Sequence, residues 1–378
     1  MRRLALVVAG LLAAAPALAA TQKKPAAKPA PEPIARDLMK PELTVPSLRY
    51  MMLPPPAASA APQAPGSSVR KEEGFLPHAD VGLGDPNSDL AYGAYQRGLY
   101  VAAFKEAKRR AAERPPSPQA MTLLGQLYAS GAGVARSPEE AARWYARAVD
   151  YGDRKAMVAL ALARLGGDGV QKSETEAAKL FAQAAELDEP EALYNLAVMR
   201  LQGAGVPRDP AAAVRDMKAA AELGQAEAQY AYAVMLRDGT GVERDLTESA
   251  LWLGRAAGQD DIPSMVEYAI ALFNGKGVAK DEAAAASLFR RAAERGNAIA
   301  QNRLARLYAN GRGVERDPAR AAAWHRLARA QGLNDTWLEG FVGSMRPEDR
   351  AAADRLAAKF GEGFGPVALS TAAASPKP

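Results

Sequence analysis

Between residues 118 and about 332 the chain repeats two kinds of segment in which apolar or small side chains return every three or four positions, the spacing that lines one face of a helix. In the first kind, seen at 120–128, small residues align at Ala120, Ala156, Ala192, Ala228, Ser264 and Ala300, and larger ones at Leu124, Leu160, Leu196, Tyr232, Tyr268 and Leu304. Directly after the larger residue stands Gly125 and, in the later copies, an alanine. A small residue beside a large one lets two helix backbones approach while the larger side chain fills the space between them. The second kind, seen at 138–149, aligns Ala141, Ala177, Ala213, Ser249, Ala285 and Ala321. A bulky pair follows in most copies: Trp144-Tyr145, Leu180-Phe181, Trp252-Leu253, Leu288-Phe289 and Trp324-His325. Only the third copy departs, with Asp216-Met217. The pattern predicts two helices per unit.

The joint between the two helices is Gly-x-Gly-Val, found at Gly131/Gly133/Val134, Gly167/Gly169/Val170, Gly203/Gly205/Val206, Gly239/Gly241/Val242, Gly275/Gly277/Val278 and Gly311/Gly313/Val314, always 36 residues apart. Reversing the chain in so few residues calls for positive φ, which glycine adopts at least cost. Three residues after each valine comes Ser137, Ser173, Asp209, Asp245, Asp281 or Asp317. Their side-chain oxygens can accept from free amides at a helix start, so each is a predicted N-cap. Gly152, Gly224, Gly296 and Gly332 fall where the second helix should stop, and Asp188 and Asp260 take that place in the other two copies.

These residues carry a family resemblance. The pattern Ala-x-x-x-Leu-Gly-x-x-Tyr-x-x-Gly-x-Gly-Val, complete from Ala120 to Val134, followed by Ala141, Trp144-Tyr145, Ala148 and Gly152, resembles the Sel1-like repeat. Six consecutive units cover 120–332 and imply an all-α fold, a right-handed α-solenoid of helix-turn-helix repeats. Residues 88–119, with Ala91, Tyr95, Ala103-Phe104 and Ala107, resemble a degenerate tetratricopeptide-like unit without the glycine turn. Residues 333–360 are expected to supply one closing helix, at 347–360, over the open end of the stack.

The resemblance also implies where a partner would bind. In tetratricopeptide geometry the first helix of each pair lines the concave side through its positions five, nine and twelve, among others. Position five reads Thr122, Val158, Tyr194, Tyr230, Val266 and Asn302; position nine reads Gln126, Leu162, Val198, Val234, Ile270 and Arg306; position twelve reads Ala129, Leu165, Leu201, Arg237, Phe273 and Ala309. The middle units are apolar and aromatic along this stripe, so the expected groove comprises Tyr194, Val198, Leu201, Tyr230, Val234, Arg237, Ile270 and Phe273, with Tyr194, Tyr230 and Arg237 as anchors for a protein or peptide. The same side chains could instead pack between adjacent first helices.

Composition removes most catalytic chemistry. The chain has 378 residues and no cysteine, which excludes disulfides, thiolate metal sites, a cysteine nucleophile and a lipid anchor on sulfur. Only His78 and His325 are available for relays or zinc, and His325 stands in the slot that Tyr145, Phe181, Leu253 and Phe289 fill elsewhere, so it should pack. Ser68-Val69-Arg70-Lys71 matches Ser-x-x-Lys, but no Lys-Thr-Gly or Ser-Asp-Asn follows. Asp85, Asn87 and Asp89 have calcium-loop spacing, yet Leu90 replaces the glycine and Gln96 the glutamate that such a loop needs. The expectation is a non-enzymatic protein without cofactor or metal. Its net charge of +5 sits in residues 1–74, leaving 75–378 neutral and poorly suited to nucleic acid.

The first twenty residues join Arg2-Arg3 to an apolar run and small residues around Ala17 and Ala19, the pattern of an export signal cleaved near Ala19 or Ala20. Residues 21–87 hold almost half of the 27 prolines and form a predicted semi-extended tether. Within it, 34–53 is rich in Leu, Met, Tyr and Arg, which would suit a docking segment but is equally met by an accidental cluster. Residues 361–378 are a predicted flexible tail. Together these features predict a periplasmic or secreted scaffold or adaptor with a protein partner in the cell envelope, serving signalling, exopolysaccharide control or cell-wall assembly as the resemblance implies. An alternative, taken from a cysteine-rich branch of the same family, is binding or hydrolysis of β-lactams or peptidoglycan; the missing cysteines count against it.

Overall fold

The computed structural model describes residues 90–362. The predicted leader at 1–20, the tether at 21–87 with its segment 34–53, Ser68 to Lys71, His78, the Asp85/Asn87/Asp89 triplet and the tail beyond 362 lie outside the described residues. Among the described residues all regular structure is helical. A short pair, α1 (Leu90–Gln96) and α2 (Tyr100–Ala111), precedes six pairs. These are α3 (Pro118–Ser130) with α4 (Pro138–Asp150), α5 (Arg154–Gly166) with α6 (Glu174–Ala185), and α7 (Pro190–Gln202) with α8 (Pro210–Glu222). They continue with α9 (Ala226–Asp238) and α10 (Leu246–Gly258), α11 (Ile262–Asn274) and α12 (Glu282–Glu294), and α13 (Ala298–Asn310) and α14 (Pro318–Ala330). Each helix packs mainly on the one before and the one after it, which is the connectivity of an all-α solenoid.

The turn chemistry explains why the pairs are so alike. The first glycine of each joint caps its helix in the left-handed region; at Gly167 its amide and that of Asp168 both return to the Ala163 carbonyl. The chain then closes through the N-cap residue, whose own amide donates to a carbonyl of the first helix, as Asp245 does to Leu236 at 3.0 Å. The cap side chain meanwhile accepts from the first turn of the second helix, as Asp245 does from Thr247 and Glu248. Asp188 and Asp260 adopt positive φ at the places where glycine ends the other second helices.

Between helices the core combines alanine with large side chains from both members of each pair. Phe181, Met217 and Phe289 are fully buried on the second helices, beside Ala177, Ala213 and Ala285. Removing such a side chain from water contributes about 1.5–3 kcal/mol. The irregular third copy has its own solution: Met217 fills the core position, and Asp216 pairs with Arg200 of α7. Burial raises the Asp216 carboxyl above its ordinary range, and the Arg200 guanidinium pulls against that rise.

The end of the stack differs from the expected single helix. Two helices follow α14: α15 (Thr336–Gly343) and α16 (Pro347–Gly361). The first starts at Asp335, which accepts from the amides of Trp337 and Leu338 at 3.1 Å each. The second lies on α14, where Phe360 stacks on Trp324 with ring centroids 4.6 Å apart.

Candidate binding cleft

The structure places the eight expected groove residues unevenly. Leu201, Tyr230, Val234 and Phe273 are buried, whereas Tyr194, Val198, Arg237 and Ile270 are half-buried. Tyr230 and Val234 of α9 join Leu193, Ala197 and Leu201 of α7 in one apolar cluster, with Tyr194 and Val198 packed at its edge. The middle of the stripe therefore packs on itself, since large side chains on successive first helices fill the gap between them. Burial and the nearby Glu267 carboxylate push the Tyr230 hydroxyl well above its usual pKa. Arg237 is taken up by Asp238, at 2.8 and 3.1 Å, and by Glu267 at 3.3 Å.

The open part of the same stripe is at its beginning. A cleft of about 800 Å³ lies between α3 and α5, with α4 as its floor and α1 beside it. Thr122, Gln126 and Ala129, the position-five, -nine and -twelve residues of the first unit, line it together with Leu162 of the second. It is open because α5 offers Ala159 and Ala163 there, where α7 carries Asn195 and Met199 at the equivalent places. Tyr92 and Tyr95 of α1 add an aromatic wall, and Tyr92 is 46% exposed. The rim is balanced in charge, with Arg136 and Lys155 opposite Asp153 and Asp168. An apolar trough with Gln, Tyr and mixed charge at its edges suits an extended peptide segment rather than bond chemistry.

Tyr145 forms part of the floor, and Gly125 makes room for it. A β-carbon at residue 125 would overlap the Tyr145 ring; the later units carry alanine at this place, and Phe181, Met217, Leu253, Phe289 and His325 at the place of Tyr145. Burial, and next the nearby Tyr95 hydroxyl, push the Tyr145 hydroxyl well above its usual pKa. Gly125→Ala should therefore displace this ring and lower stability by about 1–3 kcal/mol despite the better helix propensity of alanine. Urea unfolding of the variant checks this; an unchanged or higher midpoint would show that the ring moves aside freely.

At the closing end of the stack His325 and an ion-paired aspartate are both buried. His325 is buried, with Nε2 3.1 Å from Glu339 Oε1. Burial lowers its pKa, and the Glu339 carboxylate opposes that fall. At the same end, Asp335 accepts from Arg306 Nε at 2.7 Å, from Arg306 Nη2 at 2.8 Å and from Asn302 Nδ2 at 2.8 Å, all three residues being buried. Among the described residues no group of three histidine, aspartate or glutamate side chains is placed to hold a metal ion. No described helix is long and apolar enough to cross a membrane.

Comparison with known proteins agrees with this architecture. The family model described as Sel1 repeat matches six adjoining segments, 118–153, 154–189, 190–225, 226–261, 262–297 and 298–333. Among solved structures, a Sel1 repeat protein from Oxalobacter formigenes is similar at 29% identity and a TM-score of 0.57, covering 64% of this chain and 98% of that one. The c5321 protein of uropathogenic Escherichia coli, a protective antigen displaying an SLR fold, is 25% identical over 74% of this chain and 68% of its own, with a TM-score of 0.49. No curated protein matches the chain. Six matched units in unbroken register, each built on the glycine joint and alanine seam described above, mean that the chain belongs to the Sel1 repeat family.

Proposed function

We propose that this protein is an exported scaffold that holds an extended segment of a protein partner in the cleft between α3 and α5. The carrying observation is the cleft itself: the first-helix stripe is filled by its own side chains in the middle units, yet open over Thr122, Gln126, Ala129 and Leu162. The next unit of the same stripe presents half-buried Tyr194 and Val198, which extend the surface a bound segment could use. Exposed tyrosine beside small apolar residues gives contact area at low entropic cost. Placement in the cell envelope, and a regulatory or assembly role there, rest on the leader-like first twenty residues and on the family's general use as an interaction scaffold.

In-cell photocrosslinking tests the cleft. A photoreactive residue at Gln126 or Leu162 should trap one protein adduct that the same residue at Lys218, exposed on α8, does not trap. Leu162→Asp should remove the adduct formed from position 126. Equal labelling from all three positions, or none from the cleft, would reject the assignment.

A further inference from the structure

A second cleft, of about 410 Å³, lies at the other end of the stack between α12, α13, α14 and α16. Its walls bring together three cations from three helices: Arg290 of α12, Arg320 of α14 and Lys359 of α16. Glu294 is the one carboxylate that lines it. Among the described residues neither Arg290 nor Lys359 forms an ion pair, and Arg320 lies 3.3 Å from its own cap residue, Asp317. Two of the cations meet at Tyr308. Arg290 Nη2 donates to the Tyr308 hydroxyl at 3.1 Å, and the Arg320 guanidinium lies over the ring, 5.7 Å from its centre. The floor is apolar, formed by Leu356 and the stacked Trp324 and Phe360.

The sequence marks Arg320 as out of character. It is the third residue of a helix whose start favours negative charge, and the same place is Glu140, Glu176 and Glu248 in three other units and Ala212 and Ala284 in the rest. Arg290 stands where the earlier units carry Ala146, Ala182, Lys218 and Gly254 and the last unit carries Arg326. Packing of the repeat does not ask for a cation at either position. Their convergence concentrates positive charge, offset at Arg320 by Asp317, around a pocket with an apolar floor.

We propose that this cleft binds a small organic anion, with a carboxylate or phosphate head held by Arg290, Arg320 and Lys359 and an apolar body resting on Trp324, Phe360 and Leu356. Charge-assisted bonds from guanidinium groups are the strongest available to such a head. A pocket of this volume accommodates a ligand of about the size of one aromatic acid.

Titration calorimetry on the full chain with phenylacetate, phenyl phosphate, inorganic phosphate and the neutral phenylacetamide tests it. Saturable binding of phenylacetate or phenyl phosphate is expected, weaker binding of inorganic phosphate, and none of the amide; the stronger of the first two identifies the head group. Arg320→Glu restores the residue type of the other units, so the thermal midpoint should not fall while affinity drops at least about tenfold, the loss of one charge-assisted contact. Lys359→Gln, on a different helix, should weaken binding as well and serves if the first variant folds poorly. No saturable binding of either aromatic anion at millimolar concentration, equal binding of the amide, or unchanged affinity in both variants would overturn the proposal.

Discussion

Gly241→Ala should destabilise the protein by about 2–5 kcal/mol, whereas Gly239→Ala, two residues away, should cost about 1 kcal/mol. Both glycines have a φ of +72°, so the backbone strain of adding a side chain is the same. Their surroundings differ. A β-carbon at Gly239 would have the Arg244 β-carbon and the Val242 carbonyl oxygen as its nearest neighbours at 3.7 Å, ordinary contact. At Gly241 it would lie 2.5 Å from the Pro210 carbonyl oxygen and 2.8 Å from the carbonyl carbon, at the first residue of α8. Gly133, Gly169, Gly205, Gly277 and Gly313 meet the start of a preceding second helix in the same way. The second glycine of each joint is therefore the place where one repeat rests, backbone to backbone, on the one before. Because stability in a solenoid sums over such interfaces, Gly241→Ala should also split unfolding into two steps, with the break between the third pair (α7 with α8) and the fourth (α9 with α10). Urea unfolding followed by circular dichroism reads both effects, and equal shifts for the two variants would refute the account.

The second large effect is expected at Asp335. Asp335→Ala should cost about 3–5 kcal/mol, because it removes the carboxylate that buried Arg306 and Asn302 donate to and the cap of α15 together. Arg303, also buried, has its pKa lowered to about 10 by burial and by the neighbouring Arg306, with Asp335 and Glu267 opposing. Loss of Asp335 thus leaves two close guanidinium groups with less negative charge between them. Burial acts to raise the Asp335 pKa, but the hydrogen bonds from Arg306, Asn302 and the Leu338 amide outweigh it and hold the carboxyl below its usual range. A depressed carboxylate contributes stability that is complete above its unfolded value, about 4, and is lost as pH falls through the folded value. Glu267 has the opposite sign: burial raises its pKa, with Arg237 opposing, so its ionisation above that range works against folding. Comparing the wild type with Asp335→Asn isolates the first contribution. The variant's stability deficit should shrink from neutral pH toward about pH 3, and a deficit that stays constant would contradict the assignment.

Much of the molecule could be read from the chain. The 36-residue period, the two helices per unit, the N-caps at Ser137, Ser173 and the four aspartates, and the left-handed stops at Asp188 and Asp260 are local matters, decided within a dozen residues. The first-helix stripe was legible as a register but not as a surface. Tyr194 and Tyr230 have the composition of binding anchors, and that composition also fills a gap between neighbouring helices. The signal that could have found the open cleft is the pair Ala159 and Ala163, small where Asn195 and Met199 follow one unit later. Gly125 is the other, the one glycine in a column of alanines, whose meaning depends on the Tyr145 ring opposite.

The closing end was less legible for a similar reason. Asp335 has nothing in the sequence to tie it to Asn302 and Arg306, about thirty residues earlier, and α15 escapes a reading that looks for one covering helix. The convergence of Arg290, Arg320 and Lys359 likewise spans three helices.

The sequence alone determined the repeat: where each helix starts and stops, which face carries alanine, and which residues take positive φ. These follow from bonds and sterics between near neighbours in the chain. Only the tertiary structure decided which parts of the stripe stay open, why the second glycine of each joint admits no side chain, and which charges are buried together. Those depend on the distance between residues of successive units, and a few tenths of a side-chain volume change the answer without changing the pattern.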